Sequence, residues 1–217
     1  MERKEAEDTI SPVKYRIRYG EYKSIVKRKG QDIVAKKVKK NSNDLYLSKN
    51  SKLKNYQVGE AGSIIDDAYD KLIGTSIKRK PKIIILANNE LEQGVLASHN
   101  GYKNVMYVRE GLFNGADISE YTKNFVFPND PRSTIIYELV HVQQCERISI
   151  SKKPKTSREY QAIEKKLQKA AKEQIDEYEK QGYNINVSKY ASDSAACNAY
   201  DEIEAELLTY ISLGGKP

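Results

Sequence analysis

The sequence contains few of the residues that build disulfide frameworks and metal centres. Its 217 residues include two cysteines, two histidines and no tryptophan. Cys145 and Cys197 lie too far apart in the chain to resemble the dense cysteine pattern of a small secreted domain. This spacing excludes the class of disulfide-stabilised proteins and favours a reducing compartment. We expect both cysteines to be small packing residues.

Long apolar runs are also missing from the sequence. The mean hydropathy is −0.72, and no apolar run approaches the roughly 20 residues that a membrane-spanning helix needs. The first residues, MERKEAED, are charged and lack the apolar segment of a signal peptide. We therefore expect a cytoplasmic protein with no membrane contact.

Positive charge is abundant and unevenly distributed. The net charge is +7, and the segment 12–56 holds fourteen lysines and arginines against three acidic residues. A segment of this kind is commonly a solvated lysine-rich surface, but its positive field also suits contact with nucleic acid. The sequence thus predicts a basic N-terminal arm over residues 1–58, followed by a second domain over residues 59–217.

Periodicity and capping signals predict an α+β fold with a helical C-terminal half. The predicted strands cover 13–19, 44–47, 81–87 and 103–110, where apolar and β-branched residues cluster between turn residues. Ser63 is expected to cap a helix that runs to Leu72. Asp130 or Ser133 can cap a helix at Pro131, Thr156 and Glu159 form a capping box before a long helix that ends at Gly182, and a last helix covers 192–213.

The segment IIYELVHVQQ, residues 135–144, carries the chemistry in this sequence. Residues four apart share a helix face, and the motif HExxH uses this spacing to place two histidines on one zinc ion beside a glutamate base. Glu138 and His141 occupy the base and second-ligand positions, whereas Tyr137 stands in the first-ligand position. The simpler interpretation is an ordinary buried helix with a core histidine.

A second cluster of ionisable residues lies near the C terminus. The segment NAYDEIEAELLTY, residues 198–210, contains Glu202, Glu204 and Glu206 around Ala205. Glu202 and Glu206 are one helical turn apart and share a face. By itself this helix would bury its apolar stripe and leave its glutamates in solvent.

Together, YELVH and the later glutamate helix resemble a zincin metallopeptidase domain of the type with two histidines and one glutamate (gluzincin-type). The resemblance implies a small sheet whose edge strand, here 103–110, lies over the active-site helix and pairs with a peptide substrate. It also implies a zinc ion held by His141, Glu202 and the residue at position 137, with Glu206 as the other candidate for the third ligand. Glu138 would activate the metal-bound water for peptide-bond hydrolysis.

A further resemblance covers roughly residues 80–215. The segments 133–144, 159–180, 186–191 and 200–206 resemble, in the same order, the metallopeptidase-like domain found with minor head proteins of phages and prophages of Gram-positive bacteria. This resemblance implies other phage head proteins as partners, and a virion-associated location as the alternative to a cytoplasmic one. The alternative function is then a non-catalytic head structural or assembly protein whose basic arm contacts DNA.

Tyr137 places zinc binding in question. A phenol with a pKa of about 10 must lose its proton to bind a metal, which costs roughly 4 kcal/mol at neutral pH, whereas imidazole carries almost no such cost. Three interpretations remain open: lost activity on a retained fold, a variant with a replaced ligand, and a metal bound in altered form. Cys145, one turn beyond His141, offers a thiolate. His99 lies in a turn-like segment, where we expect it to be solvated.

Overall fold

The structure is a computed structural model that describes residues 35–38, 43–91, 95–115, 130–150, 154–183 and 199–216. The predicted strand 13–19, most of the basic arm, the segment 186–191 and Cys197 lie outside these residues. The described elements are, in chain order, β1 (Ala35–Lys37), β2 (Leu45–Ser48), α1 (Asn55–Lys71), β3 (Lys82–Leu86), β4 (Ala97–Asn100), β5 (Val105–Arg109), a short 3-10 helix (Glu110–Leu112), α2 (Pro131–Arg147), α3 (Ser157–Lys180) and α4 (Tyr200–Ser212).

The described strands form one mixed sheet of five strands in the order β1-β2-β3-β5-β4. The three central strands are parallel, and β1 and β4 pair with them in the antiparallel direction. Roughly half of the described residues are helical, and three of the four described helices follow the sheet in the chain. The predicted α+β class with a helical C-terminal half is therefore confirmed.

The prediction that the segment 103–110 forms an edge strand is wrong. The segment 103–110 contains β5, which lies between β3 and β4 and is bonded on both sides. The edge on this side of the sheet is instead β4. Its residues, Ala97–Asn100, resemble a turn in the sequence because they include serine and asparagine and are followed by glycine. A four-residue strand has little room to show alternation, so pairing with β5 decides its conformation.

Helix α1 begins nine residues earlier than the sequence predicted. It runs from Asn55 to Lys71, and the backbone amide of Lys54, the residue before it, donates to the side chain of Gln57. Ser63 is therefore not a cap, since it lies inside the helix and donates its hydroxyl to the Gly59 carbonyl. The boundary placed between residues 58 and 59 falls within this helix.

The main core lies between one face of the sheet and helices α1 and α2. Ile83 and Ile85 of β3 and Met106 of β5 are fully buried there, against residues such as Ile65 of α1 and Leu139 of α2. Burial of these side chains removes apolar surface from water and fixes α2 beneath the sheet, where it also contacts the edge strand β4. Helix α4 packs on both α2 and α3.

The predicted caps of α2 and α3 are confirmed, but the Glu159 side chain accepts from the Lys155 amide, one residue before the Thr156 amide that a capping box uses. The Asp130 carboxylate accepts from the Ser133 amide at the start of α2, and Pro131 occupies the first turn. The Thr156 hydroxyl accepts from the Glu159 amide at the start of α3. No helix in the described part of the chain is long and apolar enough to cross a membrane.

Candidate functional site

Helices α2 and α4 bring the predicted site residues together in the interior. Tyr137, Glu138 and His141 lie on α2 with exposed fractions of 7%, 3% and 3%, and Glu202 on α4 is completely buried. Helix α2 is buried on almost every side from Ile135 to Gln144, because the sheet covers one face and α4 covers another. The polar side chains of this helix must therefore find partners inside the protein.

Tyr137 and His141 both contact Glu202. The Tyr137 hydroxyl donates to Oε2 of Glu202, and Nε2 of His141 lies 3.7 Å from the same oxygen. The two rings meet edge to face with centroids 5.1 Å apart. The three residues thus converge on Glu202, and a phenol and not a second imidazole occupies the position one turn before His141.

Gln144 fixes the orientation of the His141 ring. Its amide nitrogen donates to the Asp201 carbonyl at 2.8 Å and to Oε2 of Glu204 at 2.9 Å. Its amide oxygen therefore faces Nδ1 of His141, at 2.8 Å. Because an amide oxygen only accepts hydrogen bonds, Nδ1 of His141 must carry a proton. Gln144 was not among the predicted site residues, although it lies three residues after His141 and so on the same side of the helix.

The polar cluster continues from Gln144 to an ion pair between the partly exposed side chain of Arg147 and the buried carboxylate of Glu204. Arg147 of α2 donates to both carboxylate oxygens of Glu204 at 2.7 and 2.6 Å, a bidentate arrangement. Glu204 is 1% exposed, and burial raises the pKa of its carboxyl, an effect that Arg147 and Gln144 partly oppose. This pair joins the C-terminal end of α2 to the middle of α4.

Helix α4 buries its carboxylates, contrary to the expectation of a solvated acidic face. Asp201, Glu202, Glu204 and Glu206 are each 0–1% exposed. Oδ1 of Asp201 accepts from Gln168 of α3 at 2.8 Å, so α4 is tied to both neighbouring helices. Glu206, the second candidate for a third ligand, is buried one turn beyond Glu202. The packing of α4 between α2 and α3 reverses the expected exposure.

The prediction that His99 is a solvated turn residue is also wrong. It lies on the edge strand β4 and is 2% exposed. Burial and the nearby His141 lower the pKa of His99 to about 3, and a hydrogen bond with Asn104 opposes this change. The two histidines of the chain, His99 and His141, therefore interact electrostatically. Alternation along β4 would have placed it with Ala97 on the core face.

The described donor atoms around His141 form a hydrogen-bonded arrangement with Glu202. Zinc needs three or four ligand atoms within about 2.0–2.3 Å of one point. Among the described residues, no group of three histidine, cysteine, aspartate or glutamate side chains has such an arrangement. The Tyr137 hydroxyl instead donates to the carboxylate that would serve as the third ligand. Cys145 is partly buried, so it is not the fully buried packing residue that the sequence predicted.

Replacement of Tyr137 by phenylalanine is expected to lower the free energy of unfolding by about 1–2 kcal/mol, because buried Glu202 loses a hydrogen-bond donor. Urea unfolding of the two proteins measures the difference. Tyr210→Phe is the matched control, since the Tyr210 hydroxyl makes only an exposed contact at 3.4 Å with the Lys216 carbonyl. An equal effect of the two substitutions would contradict the assigned role of the Tyr137 hydroxyl.

His99 is expected to make the protein sensitive to acid. The unfolded chain takes up a proton on this histidine below about pH 6.5, whereas the folded protein does so only near pH 3. The unfolded state thus binds more protons between these values, and stability falls as the pH falls, by about 2 kcal/mol from pH 7 to pH 5. Urea unfolding at both pH values measures this loss. In His99→Gln it should shrink to the residual effect of other groups, and an unchanged loss would refute the assignment.

No protein-family model, no curated protein and no solved structure is significantly similar to this chain. We call Tyr137, His141, Gln144, Glu202 and Glu204 the α2–α4 cluster, after the two helices that carry them. The function proposed below rests on the geometry of this cluster and on the motifs in the sequence.

Proposed function

We propose that this chain is a zincin-like, metallopeptidase-derived protein in which a hydrogen-bonded cluster replaces the zinc centre, and that it does not hydrolyse peptide bonds. The observation that carries the proposal is the hydrogen bond from the Tyr137 hydroxyl to the buried Glu202 carboxylate. It joins the first-ligand and third-ligand positions of the motif directly. His141, at the second-ligand position, contacts the same carboxylate.

The placement of the helices supports a zincin-like origin. The motif helix α2 lies beneath the sheet and contacts its antiparallel edge strand β4. The glutamate helix α4 crosses α2 so that Glu202 meets His141, and not merely another apolar stripe. An ordinary core histidine does not require a carboxylate on a second helix, and burial of both groups costs free energy that a core of similar volume would avoid.

The chemistry of Tyr137 supports loss of catalysis. Deprotonation of a phenol costs roughly 4 kcal/mol at neutral pH, and here the proton also serves the bond to Glu202. Metal coordination would have to break this bond in addition. Glu138 stays at the position of the catalytic base, but a base has no function in peptide hydrolysis without an activated water molecule.

A scaffold without catalysis fits the alternative role of a phage head structural or assembly protein. The resemblance of four segments, in order, to the domain found with minor head proteins supports this role. Its partners would be other head proteins, and it would have no peptide or protein substrate.

The experiment that tests the proposal compares the wild-type protein with Glu138→Gln. Both are purified without chelator, analysed for zinc, and incubated with an unfolded protein substrate in the presence of added zinc. We expect substoichiometric zinc and no cleavage by the wild type above that of the variant. Cleavage that depends on Glu138, with or without bound zinc at the start, would overturn the proposal.

A further inference from the structure

Basic side chains from three separate segments meet at one end of the sheet. They are Lys37 at the end of β1, the group Lys78, Arg79, Lys80 and Lys82 before and at the start of β3, and Lys103 before β5. All six are exposed. Because β2, β3 and β5 are parallel and β1 is antiparallel to β2, these positions share the end of the sheet where the parallel strands begin. We call this set the basic rim.

Contacts with the backbone hold the basic rim in place. The Lys82 amide donates to the Asn104 carbonyl at 3.0 Å, and the Asn104 side chain donates to the Arg79 carbonyl at 3.1 Å. The carboxylate of Glu146 accepts from the amides of Lys78 and Arg79 at 3.0 and 2.8 Å. The turn that carries four of the six cations is therefore fixed to both β5 and α2, and little conformational entropy is lost when a ligand binds it.

Tyrosine rings lie beneath the lysines of the rim. The Lys80 ammonium is 4.2 Å from the centroid of the Tyr69 ring, and the Lys82 and Lys37 ammonium groups are 4.9 and 5.9 Å from that of Tyr46. Asp44 pairs with Lys37 at 2.7 Å. The hydrogen bond to Lys37, and to a smaller extent the charge of Lys82, lower the pKa of the Asp44 carboxyl.

We propose that the basic rim is a binding surface for the phosphate backbone of nucleic acid, without base reading. From β1 to β5 the rim crosses three strand spacings, about 14 Å, which is comparable with the width of about 12 Å of the major groove between two phosphate strands. The inference does not depend on the proposed function. It also differs from the predicted contact through residues 12–56, since five of its six cations lie beyond that segment.

A nucleic acid suits this surface better than a membrane. Surfaces that bind anionic lipids combine basic residues with apolar side chains that enter the bilayer. The large hydrophobic side chains that are exposed among the described residues are Tyr56 and Tyr210, and neither belongs to the rim. The rim offers ammonium and guanidinium groups over half-buried rings, which serve phosphate contacts and supply no apolar anchor.

The test uses full-length protein and fluorescence anisotropy with a short duplex of mixed sequence at several salt concentrations. The first variant carries Lys80→Glu, Lys82→Glu and Lys103→Glu. The second carries Lys78→Glu, Arg79→Glu and Lys103→Glu, which leaves the contacts of Lys80 and Lys82 with the tyrosines intact. The matched control carries Lys165→Glu, Lys166→Glu and Lys169→Glu on α3, which produces the same change in net charge at exposed positions. Urea unfolding verifies that each variant folds.

We expect both rim variants to bind the duplex at least roughly tenfold more weakly and the α3 control to bind it less than about twofold more weakly. The salt dependence of log K should also become shallower by about 0.9 for each phosphate that a variant no longer neutralises. Equal weakening in rim and control variants, unchanged binding in the rim variants, or no binding by the wild type would overturn the proposal. Equally strong, rim-dependent binding to polyglutamate or to anionic vesicles would overturn the choice of nucleic acid as the ligand.

Discussion

Replacement of Arg147 by methionine is expected to lower the free energy of unfolding by about 3 kcal/mol, the largest loss of stability that we predict for this protein. Arg147 donates to both oxygens of Glu204, and the Glu204 side chain is 1% exposed. Methionine preserves much of the aliphatic volume, but it leaves a carboxylate inside the protein with Gln144 as its described donor. Equilibrium unfolding in urea at neutral pH measures the change.

Two variants isolate the charge as the cause. Glu204→Gln in the Arg147→Met background removes the unpaired charge and keeps an acceptor for Gln144, so it should recover at least half of the lost stability. Lys172→Ala breaks an exposed pair with Asp176 on α3 and should change stability by less than about 0.5 kcal/mol. No recovery in the double variant would show that packing of the arginine side chain, and not its pairing with Glu204, is responsible.

Replacement of Tyr137 by histidine is expected to raise the affinity for zinc by at least tenfold. Deprotonation alone costs roughly 4 kcal/mol for the phenol and almost nothing for imidazole, a difference that corresponds to about a thousandfold in affinity. The new imidazole would stand one turn before His141, beside Glu202, and would complete a set of two histidines and one glutamate. Isothermal titration with zinc at neutral pH measures the affinities.

Controls for this gain separate ligation from simple removal of the phenol. Tyr137→Phe also removes the bond to Glu202 but supplies no ligand, so any gain in its zinc affinity should be much smaller than that of Tyr137→His. Adding His141→Ala to Tyr137→His should abolish the gain. If Tyr137→His and Tyr137→Phe bind zinc equally, the proposed correspondence between position 137 and the first ligand is wrong.

The two proposals stand on different parts of the molecule and can fail separately. The α2–α4 cluster lies inside the helical half, whereas the basic rim lies on the exposed end of the sheet. Zinc-dependent cleavage by the wild type would remove the first proposal and leave the second. DNA binding that ignores the rim would remove the second and leave the first.

Local signals predicted several elements correctly, because their energetics are local. The carboxylate of Asp130 and the hydroxyl of Thr156 cap α2 and α3 through hydrogen bonds that span three residues. The apolar segment before Asn88 forms β3, because a short continuous run of isoleucines is typical of a parallel strand that is covered on both faces. The spacing of Tyr137, Glu138 and His141 on one helix followed directly from the motif.

Predictions failed where a neighbour in space outweighed the local signal. Ser63 is a residue type that commonly caps helices. It lies inside α1 because Val58 and Ala61, which precede it, pack into the core as part of the same helix. His99 lies among turn residues, yet pairing of β4 with β5 makes it a buried strand residue. The segment 103–110 was expected at the edge of the sheet and is interior, because β4 adds to it from outside.

The sequence by itself determined the α+β class, the motif helix with its tyrosine, and the presence of a later helix rich in glutamate. Only the tertiary structure decided that Glu202 meets both Tyr137 and His141, and that Arg147 and Gln144 hold Glu204. The physical reason is distance along the chain. About 60 residues separate the partners, so their contact depends on how α4 packs against α2, which no local hydrogen-bonding or periodicity rule encodes.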